Sequence, residues 1–132
     1  MIRHSEVTPA VKAAVDALGR QFEKITFTSM PDGSVRVKVW GVPLGPPYAQ
    51  SETWVGFTIT ALHPYADVYP HFVRPDLSRL DGRPLNPGIH LNNSYYGEPA
   101  VMVSRQTRSV GPGAPCDPLK KVLKVLSWLM SL

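Results

Sequence analysis

The sequence predicts one α+β domain over residues 1–132: an N-terminal helix, a four-stranded antiparallel meander, a long loop-rich segment and a C-terminal helix. Three observations carry this. Apolar residues recur at helical spacing from Val11 to Ile25, alternating stretches flank Met30-Pro31-Asp32-Gly33, and an apolar stripe runs from Leu119 to Met130. A chain of 132 residues can bury a core without disulfides or metals.

The first helix is expected over Thr8–Lys24. Thr8 can cap the free amides, and Pro9 suits the first helical position because it has no N–H to leave unpaired. Val11, Ala14, Val15, Leu18, Phe22 and Ile25 make its apolar face, with Lys12, Asp16, Arg20 and Glu23 opposite. Strands follow at Ile25–Ser29 and Ser34–Trp40, joined by Pro-Asp-Gly, where proline presets φ and glycine accepts a positive one. Val35, Val37 and Val39 alternate with Arg36 and Lys38, giving one buried face and one wet face. A Gly/Pro loop, Gly41–Ser51, leads to a third strand at Trp54–Leu62.

From His63 to Gly97 the chain reads as mostly irregular, with prolines at 64, 70, 75, 84 and 87 and a short fourth strand at His71–Arg74. Tyr65, Tyr69, Phe72, Tyr95 and Tyr96 argue against disorder, since so many aromatic rings seek burial. Ala100–Val103 is expected to be extended, and Ser104–Pro115 to be a flexible loop. Asp117 and Pro118 then start the last helix, which continues to Leu132. The expected core includes Val35, Val37, Val39, Phe57, Ile59, Leu123 and Leu126.

Hydrophobic content of 43% and charged content of 18% describe a globular chain. The single cysteine excludes an internal disulfide and a cysteine-based zinc site, and fits a reducing cytoplasm. The first six residues lack the apolar core of a secretory signal, and no apolar run could span a bilayer. The net charge of +4 is dispersed apart from Lys120, Lys121 and Lys124, which read as a solvated helix face; a nucleic-acid partner is not expected. His4, His63 and His71 lack metal-ligand spacing, and no cofactor is implied.

The residues that point to chemistry are His90-Leu91-Asn92, then Gly97 seven positions after the histidine and Ala100 ten positions after it. This segment resembles the active site of E2 ubiquitin-conjugating enzymes, in which His-Pro-Asn is followed at those spacings by a glycine and the nucleophilic cysteine. Here leucine stands for the proline and alanine for the cysteine. Other signals are similar to the same family in order: Gly45-Pro46-Pro47-Tyr48 between strands, His63-Pro64 followed by Tyr69-Pro70, and Pro115-Cys116-Asp117-Pro118 ahead of a helix. The segment from Tyr69 to His90 and the loop after Ala100 are longer than is usual in E2 enzymes. That outline, with a single helix after the site, looks more like the short bacterial E2-like proteins, including those of antiphage (CBASS-type) operons beside a cGAS-like cyclic-nucleotide synthase.

The resemblance implies a UBC-like fold and a transferase that accepts the C-terminus of a ubiquitin-like protein, or of the cGAS-like nucleotidyltransferase, as a cysteine thioester. It would pass that acyl group to an amine, with an E1-like activating enzyme as a possible partner. Thioester transfer needs a thiolate and a donor aimed at the developing oxyanion. The resemblance places the nucleophile at position 100 and assigns the donor, or a loop brace, to Asn92. It makes His90 a buried residue that holds the loop, and gives Ser94, Tyr95, Tyr96, Gly97 and Val101 to the approach of the substrate. As written, the chain is expected to be inactive at Ala100.

Two accounts of the alanine stand side by side. It could be an introduced Cys→Ala change, which the retained His90, Asn92 and Gly97 favour, or it could mark a natural variant that binds without conjugating. Cys116, just ahead of a helix N-terminus where a thiol pKa can fall, is the alternative nucleophile. A third possibility is an adaptor on an RWD-like scaffold, which shares the helix-and-meander layout but not the Asn-to-nucleophile spacing.

Overall fold

A computed structural model describes residues 7–65, 67–104 and 116–132. The elements are α1 (Pro9–Gln21), β1 (Lys24–Ser29), β2 (Val35–Pro43), β3 (Glu52–Ile59), β4 (His71–Val73), β5 (Ile89–Tyr95), β6 (Glu98–Val103) and α2 (Pro118–Met130). All six strands join one antiparallel sheet in the order β1-β2-β3-β4-β6-β5. The α+β class and the β1–β3 meander stand as read from sequence. The strand number does not: the sheet has six strands rather than four, because the long segment expected to be a loop ends in the β5–β6 hairpin.

Strand alternation divides the sheet into two faces. Val35, Val37 and Val39 pair in register with Ile59, Phe57 and Val55, and the row continues through Val73, Val101 and Val103. Against this face pack Val11, Ala14, Val15 and Leu18 of α1 and Val122, Val125 and Leu129 of α2, all in one buried cluster. At about 25 cal/mol per Å² of apolar area, this two-layer core dominates the stability of the domain. Both helices start as read: Thr8 Oγ1 accepts from the Val11 amide, and the Asp117 carboxylate accepts from Leu119 and Lys120. Helix α1 ends at Gln21, three residues earlier than expected, because the chain turns extended at Phe22 to begin β1. No helix of the described residues is long and apolar enough to cross a membrane.

Three core expectations change. Leu123 is 40% exposed, because the buried line of α2 runs through Pro118, Lys121, Val122, Val125 and Leu129 and leaves position 123 off its edge. Leu126 is half-buried against the cluster. Lys121 is not part of a solvated face: it is 6% exposed, and its Nζ binds both oxygens of Asp67 at 3.0 and 3.1 Å. The expectations for residues 1–6, including His4, and for the loop at 105–115 lie outside the described residues. The Pro-Tyr turn between β2 and β3 is tied to the second helix by Tyr48, which is 2% exposed and donates to the Leu129 carbonyl at 2.9 Å.

Candidate functional site

The residues of interest lie on the β5–β6 hairpin. It closes through a two-residue turn, Tyr96-Gly97, both at positive φ (48° and 84°), the pattern of a type I′ turn. Pairing runs Tyr95↔Glu98, Ser94↔Pro99 and Asn93↔Ala100, then His90↔Met102 and Ile89↔Val103. Between Asn93 and His90 the register shifts, so Leu91 and Asn92 together oppose Val101. Asn92 takes the left-handed conformation at φ 61° to make this bulge, which asparagine tolerates better than most residues.

The structure therefore brings His90, Asn92, Gly97 and Ala100 onto one hairpin. Asn93, not His90 or Asn92, braces the segment: its Nδ2 donates to the carbonyls of His90 (3.1 Å) and Leu91 (3.0 Å). His90 is exposed rather than buried, since its position falls on an edge strand of the sheet. Among the described residues, neither the His90 nor the Asn92 side chain has a hydrogen-bond partner. Val101 is fully buried and packs toward the helices, so it cannot line an approach from outside. Ser94 is exposed.

Tyr95 is the anchor of the arrangement. Alternation puts Tyr95, Asn93, Ala100 and Met102 on the face away from the helices, and the hairpin tip bends over that face. The Tyr95 hydroxyl reaches the carbonyls of Val37 on β2 (2.9 Å) and Phe57 on β3 (2.7 Å), four and three strands inward from β5. Burial pushes its pKa up, so it remains a donor at any physiological pH. Its ring lies over Gly56, where a Cβ would stand only 2.7 Å from Tyr95 Cε2, and meets Phe72 at 5.1 Å and Tyr96 edge-on at 4.8 Å. Lys38 pairs with Glu98 across the same closure. Ala100, on the closing side of the hairpin, is 2% exposed.

Beside this clamp, β1, β2 and the hairpin tip enclose a groove of about 230 Å³ whose walls include Thr26, Thr28, Arg36, Tyr96 and Glu98. The Arg36 guanidinium stacks over the Tyr96 ring at 4.9 Å, and Lys38 lies over Trp40 and Trp54 at 4.4 and 4.1 Å. Sequence reasoning missed Arg36, Glu98 and Asn93. It also passed over Gly56, although an isolated glycine inside a strand is itself a signal of close approach by another group.

Cys116, the alternative nucleophile, lies away from the hairpin, just ahead of α2. It is half-buried, its amide donates to the Pro64 carbonyl at 2.7 Å, and its sulfur lies 3.7 Å from Asp67 Oδ1. Burial pushes its pKa up, with the Asp67 carboxylate adding to the rise, against the lowering expected of a helix N-terminus. Nearby His71 is fully buried against the Phe57 ring, with neither ring nitrogen hydrogen-bonded among the described residues. Burial, with help from the Lys121 charge, lowers its pKa to about 3 and keeps it neutral. Among the described residues no three His, Cys, Asp or Glu side chains gather to hold a metal ion.

Comparison with protein families, curated proteins and solved structures finds no match to this chain.

Proposed function

We propose that this chain is an E2-like domain that works as a protein-binding module and forms no thioester. The observation that carries the reading is the position of Ala100. It sits in the paired part of β6, on the side that closes against the sheet, with 2% of its surface exposed. An acyl donor must bring a carbonyl carbon within about 3–3.5 Å of a nucleophile in line for attack. A side chain with 2% of its surface exposed offers no such approach, and a methyl group offers no nucleophile. The partner in this reading is a ubiquitin-like protein or a cGAS-like nucleotidyltransferase, engaged without covalent chemistry through its C-terminal tail near Asn92. The exposed side chains of β5, from His90 to Asn92, are where such a tail would lie, held by side-chain contacts rather than added to the sheet as a strand.

A second reading, a bacterial E2-like transferase whose cysteine has been replaced by Ala100, is favoured by Asn92. Its left-handed bulge holds an unoccupied side-chain amide on the strand opposite positions 100 and 101, where an oxyanion donor would be wanted. The two readings part on one experiment. Ala100→Cys is incubated with ubiquitin activated as a small-molecule C-terminal thioester, which removes the need for an activating enzyme. A binding module gives no reductant-sensitive adduct at position 100. An adduct there, abolished by Asn92→Ala, would establish the transferase reading instead.

A further inference from the structure

We infer that edge strand β1 and the groove beside it form a docking site for an extended acidic peptide, which adds to the sheet as a seventh strand. The site borrows the tip of the hairpin that carries Ala100 but lies along the opposite edge of the sheet from β5, and it stands whichever reading of position 100 is right. The two edges of the sheet are built differently. Edge β5 carries the Leu91-Asn92 bulge, a device that twists an edge away from further pairing. Edge β1 has no such guard: six residues pair with β2 in unbroken register, without proline or bulge. Every second residue of an edge strand turns its N–H and C=O outward, so β1 presents a row of unused backbone groups. Most of its residues are exposed, Phe27 by 56%.

The charge beside this edge selects the occupant. Lys24 and Arg36 have no carboxylate partner among the described residues, whereas Lys38 is matched by Glu98. Arg36 stands directly across from Thr28, and Lys38 from Thr26, on one face of the sheet. A strand added to β1 would lie about 4.8 Å beyond it, hence roughly 10 Å from β2. The short threonines leave a clear lane over which a glutamate on the added strand can reach Arg36. A cationic peptide would meet like charge there, and a second copy of this chain would bring Lys24 and Arg36 against a surface of the same sign.

The turn beside the groove adds an independent sign of use. Type I′ turns favour Asn-Gly, yet here a bulky tyrosine occupies the first left-handed position. Held there, Tyr96 stacks under Arg36, and its hydroxyl meets Thr58 at 2.7 Å, fixing the guanidinium at the groove. Strained residues of this kind cluster at ligand sites.

The test uses the full chain and the capped peptide Thr-Glu-Val-Glu-Val-Glu-Thr, measured by fluorescence anisotropy at low salt. Binding is expected, weakened at least about tenfold by Arg36→Gln, since a charge-assisted contact is lost. Replacing the two valines of the probe by proline should abolish it, since proline has no N–H to pair. Tyr96→Asn should keep the fold, because asparagine suits the turn, while weakening the peptide. Failure of the glutamate peptide to bind overturns the proposal. So does equal binding of the proline version or of a version with lysine in place of each glutamate, indifference to Arg36→Gln, or a dimer in sedimentation that Phe27→Lys dissociates.

Discussion

Replacing Gly56 by alanine should release the hairpin clamp. The added methyl would stand 2.7, 2.9 and 3.1 Å from three atoms of the Tyr95 ring, all closer than an unstrained contact. Either the ring stays and the overpacked contact costs about 1–3 kcal/mol, or it leaves its seat. Leaving forfeits the hydroxyl's shared hydrogen bond to Val37 and Phe57, about 1 kcal/mol, and ring contacts with Phe72 and Tyr96 of about 0.5–1.5 kcal/mol each. Alanine returns roughly 0.5–1 kcal/mol by stiffening the unfolded chain. The net loss is therefore about 1–3 kcal/mol, read from urea unfolding followed by tryptophan fluorescence. The same substitution in a Tyr95→Ala background meets no ring and should be neutral or slightly stabilising. If Gly56→Ala costs the same in both backgrounds, Tyr95 does not seat on Gly56 and the clamp is wrong.

Two further expectations concern the buried groups under α2. His71 has a folded-state pKa of about 3 against an ordinary 6.5, so between those values the unfolded chain binds the extra proton. Its contribution is complete above pH 6.5 and is lost as pH falls, by about 2 kcal/mol at pH 5, and His71→Leu should flatten that limb in urea titrations at pH 7.5 and 5; an unchanged slope would contradict it. Cys116, half-buried and with its pKa raised, should alkylate with iodoacetamide at pH 7.5 more slowly than free cysteine; faster reaction would favour it as a nucleophile.

The sequence made the first half of the fold legible because its signals are local. Thr8-Pro9 starts a helix, Pro31-Asp32-Gly33 turns a hairpin, and Val35, Val37 and Val39 alternate. The β5–β6 hairpin was not legible for equally local reasons. The bulge at Leu91-Asn92 breaks the two-residue period, Asn92-Asn93 reads as a turn, and Pro99 argues against a strand. Pro99 is tolerated because the ladder with β4 covers only Val101–Val103, so no neighbour on that side needs its N–H. The motif spacing singled out residues 90–100, but spacing does not say that they pair as a hairpin or which side of a strand closes on the sheet. That depends on Gly56, forty-four residues before Ala100 in the chain, and on Tyr95 reaching it. Lys121 shows the same limit: a lysine reads as solvated until Asp67 is found beside it.

The measurement that bears most directly on the non-catalytic reading is the accessibility of a thiol at position 100. Ala100→Cys, made with Cys116→Ser so that the new thiol is the only one, is alkylated by iodoacetamide in buffer and in urea. A side chain enclosed beneath the clamped hairpin should react at least about 100-fold more slowly in the folded protein than in the unfolded chain, because labelling must wait for the hairpin to open. Gly56→Ala should speed the folded-state reaction. Labelling in buffer at the rate of the unfolded chain would mean that position 100 stands open to a partner, and would contradict the reading of this domain as a binding module closed to thioester chemistry.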